Sequence, residues 1–133
     1  MRTLLSISSN TLLAKHLTDA KSASKIMSSG KFKPSSSGWL GAGLYAHTGT
    51  GTEGKGTSAV YFDYSGLNLC TEDKPEELTQ KEWERLSKMP VDQVNRKLAA
   101  LGYDGYYASH KGWIVIFPSS VSKIRPVSLD TYL

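Results

Sequence analysis

Most of the common catalytic and targeting signatures are missing from this chain. A single cysteine, Cys70, excludes an internal disulfide, and no Cys/His set has the spacing of a zinc site, so a reducing compartment is expected. No G-K-[ST] marks a P-loop, and no serine stands in G-x-S-x-G. The glycines around residue 41 do not form G-x-G-x-x-G between a strand and a helix. No apolar run approaches the length that spans a bilayer, and the opening "MRTLLSISSNTLL" is too polar for the core of a secretion signal. The expectation is a soluble, cytoplasmic protein with no membrane partner. A long basic run is absent too. Sixteen Lys and Arg against twelve Asp and Glu leave a formal charge of +4, spread through the sequence. That balance suits acidic partners such as a nucleotide without providing a dedicated nucleic-acid arm.

The 133 residues suffice for one domain, residues 1–133, and not for two. "RTLLSISSNTLLAKHL" reads as one or two short strands with His16 near a strand end. "TDAKSASKIMSSG" offers Thr18 or Asp19 as a helix cap, apolar positions at Ala20, Ala23, Ile26 and Met27, and Gly30 as a stop. Leu44 to Ala46 form a short strand reached through glycines. "SAVYFDY" alternates Ala59, Tyr61 and Asp63 with Val60, Phe62 and Tyr64, a strand pattern. A charged helix with Leu78, Trp83 and Leu86 inward is expected within residues 71–89, and Pro90 opens a second with Val91, Val94, Leu98 and Leu101 on one side. "WIVIF" is the most strand-like run and belongs inside a sheet. No regular βαβ alternation is present, so the class is α+β.

The candidates for chemistry reduce to a small set: His16, the turn from Gly41 to Tyr45, the tyrosines Tyr61 and Tyr64 on the following strand, and His110 before the last large strand. His47 has no assigned role. "GWLGAGLYAHTGTGTEGKGT" concentrates glycine around Tyr45, and its second half reads as a mobile loop at the mouth of a site.

At these residues the sequence resembles a known family. "KHLTDAKSASKIMSSGKFKPSSSGWLGAGLYA" is similar to the front half of small ADP-ribosyltransferases of the diphtheria-toxin and PARP type, in particular the bacterial toxins with an HYD-type signature. The matching positions are His16, Thr18, Ala23, Ile26, Gly30, Gly41, Gly43 and Tyr45. "LGYDGYYASHKGWIVIFPSSVSKI" resembles the closing part of the same enzymes. The resemblance implies a compact single-domain ADP-ribosyltransferase-like fold of two small packed, mostly antiparallel sheets with peripheral helices. It implies NAD as substrate, no metal, and transfer of ADP-ribose to a macromolecule, most readily a protein with nucleic acid as the other option. The setting it implies is a toxin or a phage or bacterial effector in the cytosol of a host or target cell.

The resemblance assigns roles as well. His16 hydrogen-bonds a hydroxyl of the adenosine-side ribose, and the backbone beside it, at Leu17 and Thr18, grips the nicotinamide amide. Gly41 and Gly43 let the chain turn beneath the nicotinamide, and Tyr45 stacks on its ring. Tyr61 or Tyr64 completes the sandwich, with Tyr61 favoured. The acid usual at the third position has no counterpart in "SHKGW", where His110 stands instead and would supply an acceptor without fixed negative charge. Asp104 in "GYDG" reads as a turn stabiliser, and Glu82 and Glu84 as surface. The alternative reading is an ADP-ribosyltransferase-like binding module that recognises a protein or nucleotide without transfer.

Overall fold

The computed structural model describes residues 12–48, 58–71 and 80–127. The expected strand before residue 12, the glycine-rich loop at 49–57 and the acidic run at 72–79 with Leu78 lie outside the described residues. The order is β1 (Leu13–Thr18), α1 (Ala20–Ser29), β2 (Leu44–His47), β3 (Ser58–Asp63), β4 (Leu69–Thr71), α2 (Gln80–Ser87), α3 (Val91–Ala100), β5 (Gly105–Ala108), β6 (Trp113–Ile116) and a 3-10 helix, Pro118–Lys123. The class is α+β.

Local chemistry explains the helix ends. The Asp19 carboxylate accepts from the Ser22 amide at 2.7 Å, capping α1, and Gly30 ends it with a left-handed φ of 72°. α3 starts directly after Pro90, whose missing N–H is no loss there, and turns Val94, Asn95 and Leu98 inward.

The strands form a single mixed sheet in the order β3-β1-β2-β6-β5-β4. This corrects the expectation of two packed sheets. β2 joins what would otherwise be separate halves. One edge pairs with β6 along four residues, and the other meets β1 at the single register pair Lys15–His47. All neighbours are antiparallel except β4 and β5. Those two run parallel because the chain crosses over through α2 and α3 between them.

Both faces of the sheet are covered. Ala14, Leu44, Ala46, Val60, Phe62, Ile114 and Ile116 project to one side, where they pack with Ile26 of α1 and with Val121 and Ile124. Tyr45, Cys70, Tyr106 and Val115 project to the other, where Leu86 of α2 and Leu98 of α3 meet them. These are called the α1 face and the α3 face. β6 is apolar on both sides, and Ile114, Val115 and Ile116 are 0% exposed, as an interior strand requires.

Asp104 holds more than its own turn. It accepts from the Asn68 amide at 2.8 Å, from Ser120 Oγ at 2.7 Å and from Lys123 Nζ at 2.7 Å, tying the approach to β4, the start of β5 and the 3-10 helix together. Burial pushes its carboxyl pKa up, but the bonds from Lys123, Asn68 and Ser120 outweigh it and hold the group below its ordinary value.

Candidate functional site

His16 occupies the fourth position of β1, where the ladder to β2 stops. Beyond the Lys15–His47 pair no further residue of β1 is in register with β2, and the histidine ring makes the next link itself. His16 Nδ1 lies 2.8 Å from the Tyr45 carbonyl oxygen. A carbonyl only accepts, so Nδ1 carries the proton and, in the neutral ring, Nε2 carries the lone pair. Burial lowers the pKa of His16, the bond to Tyr45 raises it less, and the nearby His47 lowers it further. The ring is therefore neutral at pH 7. Phe32 stands edge-on to it at 6.0 Å and fixes its tilt.

Tyr45 delivers its carbonyl to His16 while its side chain points away. Lys15 and His47 are paired across the sheet and share a face; Tyr45, two residues from His47, lies on that same face, and His16 lies on the opposite one. The Tyr45 hydroxyl accepts from the Leu40 amide at 3.0 Å and donates to the Gly41 carbonyl. Burial raises the phenol pKa, the Leu40 amide opposes this, and the Asp92 charge adds to it. Gly38 lies flat on the ring, where an added Cβ would sit 2.2 Å from the Tyr45 Cζ. Trp39 stands edge-on at 5.5 Å and also meets Tyr106 and Trp113 at 6.3 and 5.9 Å.

The glycines of "GWLGAG" thus serve contacts within the protein. Gly41, at φ 82°, approaches Asp92 of α3, and a Cβ on Gly43 would lie 2.7 Å from the Ile116 carbonyl. Both backbone groups of Gly43 are bonded to Ser35. Asn95 completes the clamp, donating to the carbonyls of Leu40 and Ala42 at 2.8 and 2.7 Å. The sequence carried a signal for Asn95 that was missed: it is a polar residue at an inward position of α3, between Val94 and Leu98.

The remaining candidates divide between the two faces. Thr18 shares His16's face and lines the same cleft, whereas Leu17 faces the α3 side. Tyr61 is paired with Lys15, so it is on the Tyr45 face but one strand beyond β1, and its carbonyl accepts from Val127 at 2.8 Å. Tyr64 packs on the α1-face core. His110 is exposed in the β5–β6 turn, two strands from β1, and next to it Lys111 Nζ stands 4.4 Å from the Trp113 ring. Glu82 and Glu84 fall in α2, on the opposite side of the sheet from His16.

The cleft beside His16 has a volume of about 420 Å³. Thr18, Ser22, Lys25, Lys31 and Lys33 surround the histidine, and no carboxylate lines the cleft among the described residues. His16 Nε2 has no partner among them either. Such a lining offers the Thr18 hydroxyl, one neutral imidazole acceptor and three ammonium groups, which suits a polyhydroxylated anion. No group of three or more His, Cys, Asp or Glu among the described residues is arranged to hold a metal ion, and no described helix is long and apolar enough to cross a membrane. The chain matches no protein-family model, no curated protein and no solved structure.

Proposed function

We propose that this chain is an NAD-dependent mono-ADP-ribosyltransferase that takes the ADP-ribose end of NAD in the His16 cleft and transfers it to a macromolecular acceptor. The observation that carries the reading is the state of His16: neutral, with Nδ1 committed to the Tyr45 carbonyl and the Nε2 lone pair left without a described partner in a cleft rimmed by three lysines. A ribose hydroxyl donates to Nε2. Lys25, Lys31 and Lys33 neutralise the pyrophosphate, and Thr18 adds a hydroxyl donor. Holding the adenosine-side ribose and the pyrophosphate in this way positions the other ribose, whose bond to nicotinamide breaks through an oxocarbenium-like state.

Tyr45 then acts as a positioning residue. Its carbonyl sets the tautomer and angle of His16, while its ring remains in the Gly38–Trp39 packing. This revises the stacking role that the family resemblance implies. Leu17, Gly41, Gly43, Tyr61 and His110 have no contact with the cleft that supports a role in it.

No carboxylate lines the cleft among the described residues, which favours a second reading, a domain that binds NAD or a related nucleotide without transfer. One preparation separates the two. NAD titrated by calorimetry reports binding, and nicotinamide release with acceptor labelling in a lysate reports transfer. Binding and release are expected for the enzyme, with binding weakened about tenfold and release lost in His16→Ala. Binding without release indicates the binding domain, and no binding at all overturns both readings.

A further inference from the structure

The five lysines Lys15, Lys21, Lys25, Lys31 and Lys33 stand against the single Asp19 between residues 12 and 34, an excess equal to the whole chain's formal charge of +4. The fold concentrates part of that excess. The segment Gly30–Pro34 runs between two clefts that share Lys31. One is the His16 cleft with Lys25 and Lys33. The other, of about 400 Å³, lies between the end of α1 and the 3-10 helix, and Arg125 and Ser122 stand on its rim. The floor of this second cleft is apolar and is built from Phe32, Pro34, Pro118, Val121 and Ile124. Lys25, Lys31, Lys33 and Arg125 make no ion pair among the described residues, in contrast to Lys123, which is held by Asp104.

The geometry points to a binding track for single-stranded nucleic acid that runs from Arg125 past Lys31 to the His16 cleft. Four cations without an ion pair among the described residues, in two clefts that share Lys31, suit consecutive phosphates, and the apolar floor of the second cleft suits the flat face of a base between them. An acidic peptide satisfies the cations but brings no flat apolar body for that floor. Lys25, Lys31 and Lys33 are also the cations assigned to the NAD pyrophosphate above, so NAD and the oligonucleotide compete for the His16 cleft. The binding track itself does not depend on transfer.

The test is fluorescence anisotropy with a fluorescein-labelled ten-nucleotide oligothymidylate, titrated at several salt concentrations. Saturable binding is expected, with log K falling against log salt at a slope of about −3 for four phosphate contacts. Arg125→Glu and Lys31→Glu should each weaken binding at least about tenfold and flatten the slope by about 0.7 or more. Circular dichroism confirms that the variants are folded. Arg125 is outside the His16 cleft, so Arg125→Glu should leave NAD affinity unchanged in calorimetry. Absence of saturable binding at 50 mM salt, affinity equal to that of the unsubstituted protein in both folded variants, or equally tight binding of a labelled oligoglutamate of the same charge overturns the nucleic-acid track. Absence of NAD binding with oligonucleotide binding intact overturns both readings of the proposed function and leaves the track standing.

Discussion

The two faces of the sheet treat polar groups in opposite ways. On the α3 face the polar groups of the Trp39–Tyr45 packing are used inside the protein: the Tyr45 hydroxyl is bonded to Leu40 and Gly41, and the Asn95 amide to Leu40 and Ala42. On the α1 face the groups around His16 have capacity left over among the described residues, with one imidazole nitrogen and three lysines lining an open cleft. Satisfied polar groups hold a structure together, and unsatisfied exposed ones are available to a ligand. The contrast assigns stability to the first set and binding to the second, even though one strand residue, Tyr45, contributes to both.

The largest expected effect lies on the stability side. Gly43→Ala places a Cβ against Val115 Cγ2 at 2.6 Å and the Ile116 carbonyl at 2.7 Å, in the sheet interior where backbone cannot yield. A loss of about 3 kcal/mol in denaturant unfolding is expected. Asn95→Ala should cost about 2 kcal/mol by leaving the Leu40 and Ala42 carbonyls without their donor, while NAD affinity of the folded fraction stays the same. His16→Ala should act mainly on the binding side, weakening NAD binding about tenfold, or about 1.4 kcal/mol, while costing about 1 kcal/mol of stability with the bond to the Tyr45 carbonyl. Tyr45→Phe is the smallest. It should lose about 1 kcal/mol of stability with the hydroxyl bonds and keep NAD affinity, because the carbonyl that orients His16 remains. A large loss of NAD binding in Tyr45→Phe, or none in His16→Ala, breaks the division between faces.

The pH dependence separates the regions as well. The folded pKa of His16 lies below the ordinary 6.5, so protonation favours the unfolded chain. Its contribution to stability is complete above pH 6.5 and declines as pH falls below it. NAD binding declines over the same range, because protonated Nε2 no longer accepts. The Asp104 carboxyl is also lowered, from 3.8, and its contribution is present above that value and lost as pH falls through the lowered one. Melting curves from pH 8 to pH 3 should therefore show two separate declines, and His16→Asn should remove only the upper one.

Elements with strong local signals were legible in the sequence. Asp19 and Gly30 bracket α1, Pro90 and the apolar spacing give α3, and "WIVIF" is interior. β4 was not legible, since three residues around Leu69 and Cys70 carry no period. The joining of the sheet was not legible either, because strand neighbours are chosen by non-local pairing. The site depended on that pairing. His16 and Tyr45 were both marked by their surroundings, but one register pair, Lys15–His47, decides which face each side chain takes, and a shift of one residue would reverse Tyr45. The lysines were visible singly as scattered charge, and only the fold gathers Lys25, Lys31 and Lys33 around one cleft.

The most direct measurement is an NMR titration of NAD that follows the His16 imidazole and the Trp39 indole in the same sample. Saturable movement of the His16 resonances with the Trp39 indole unperturbed is the predicted result. Movement of Trp39 while His16 stays fixed would contradict the account, by placing the ligand on the face assigned to stability.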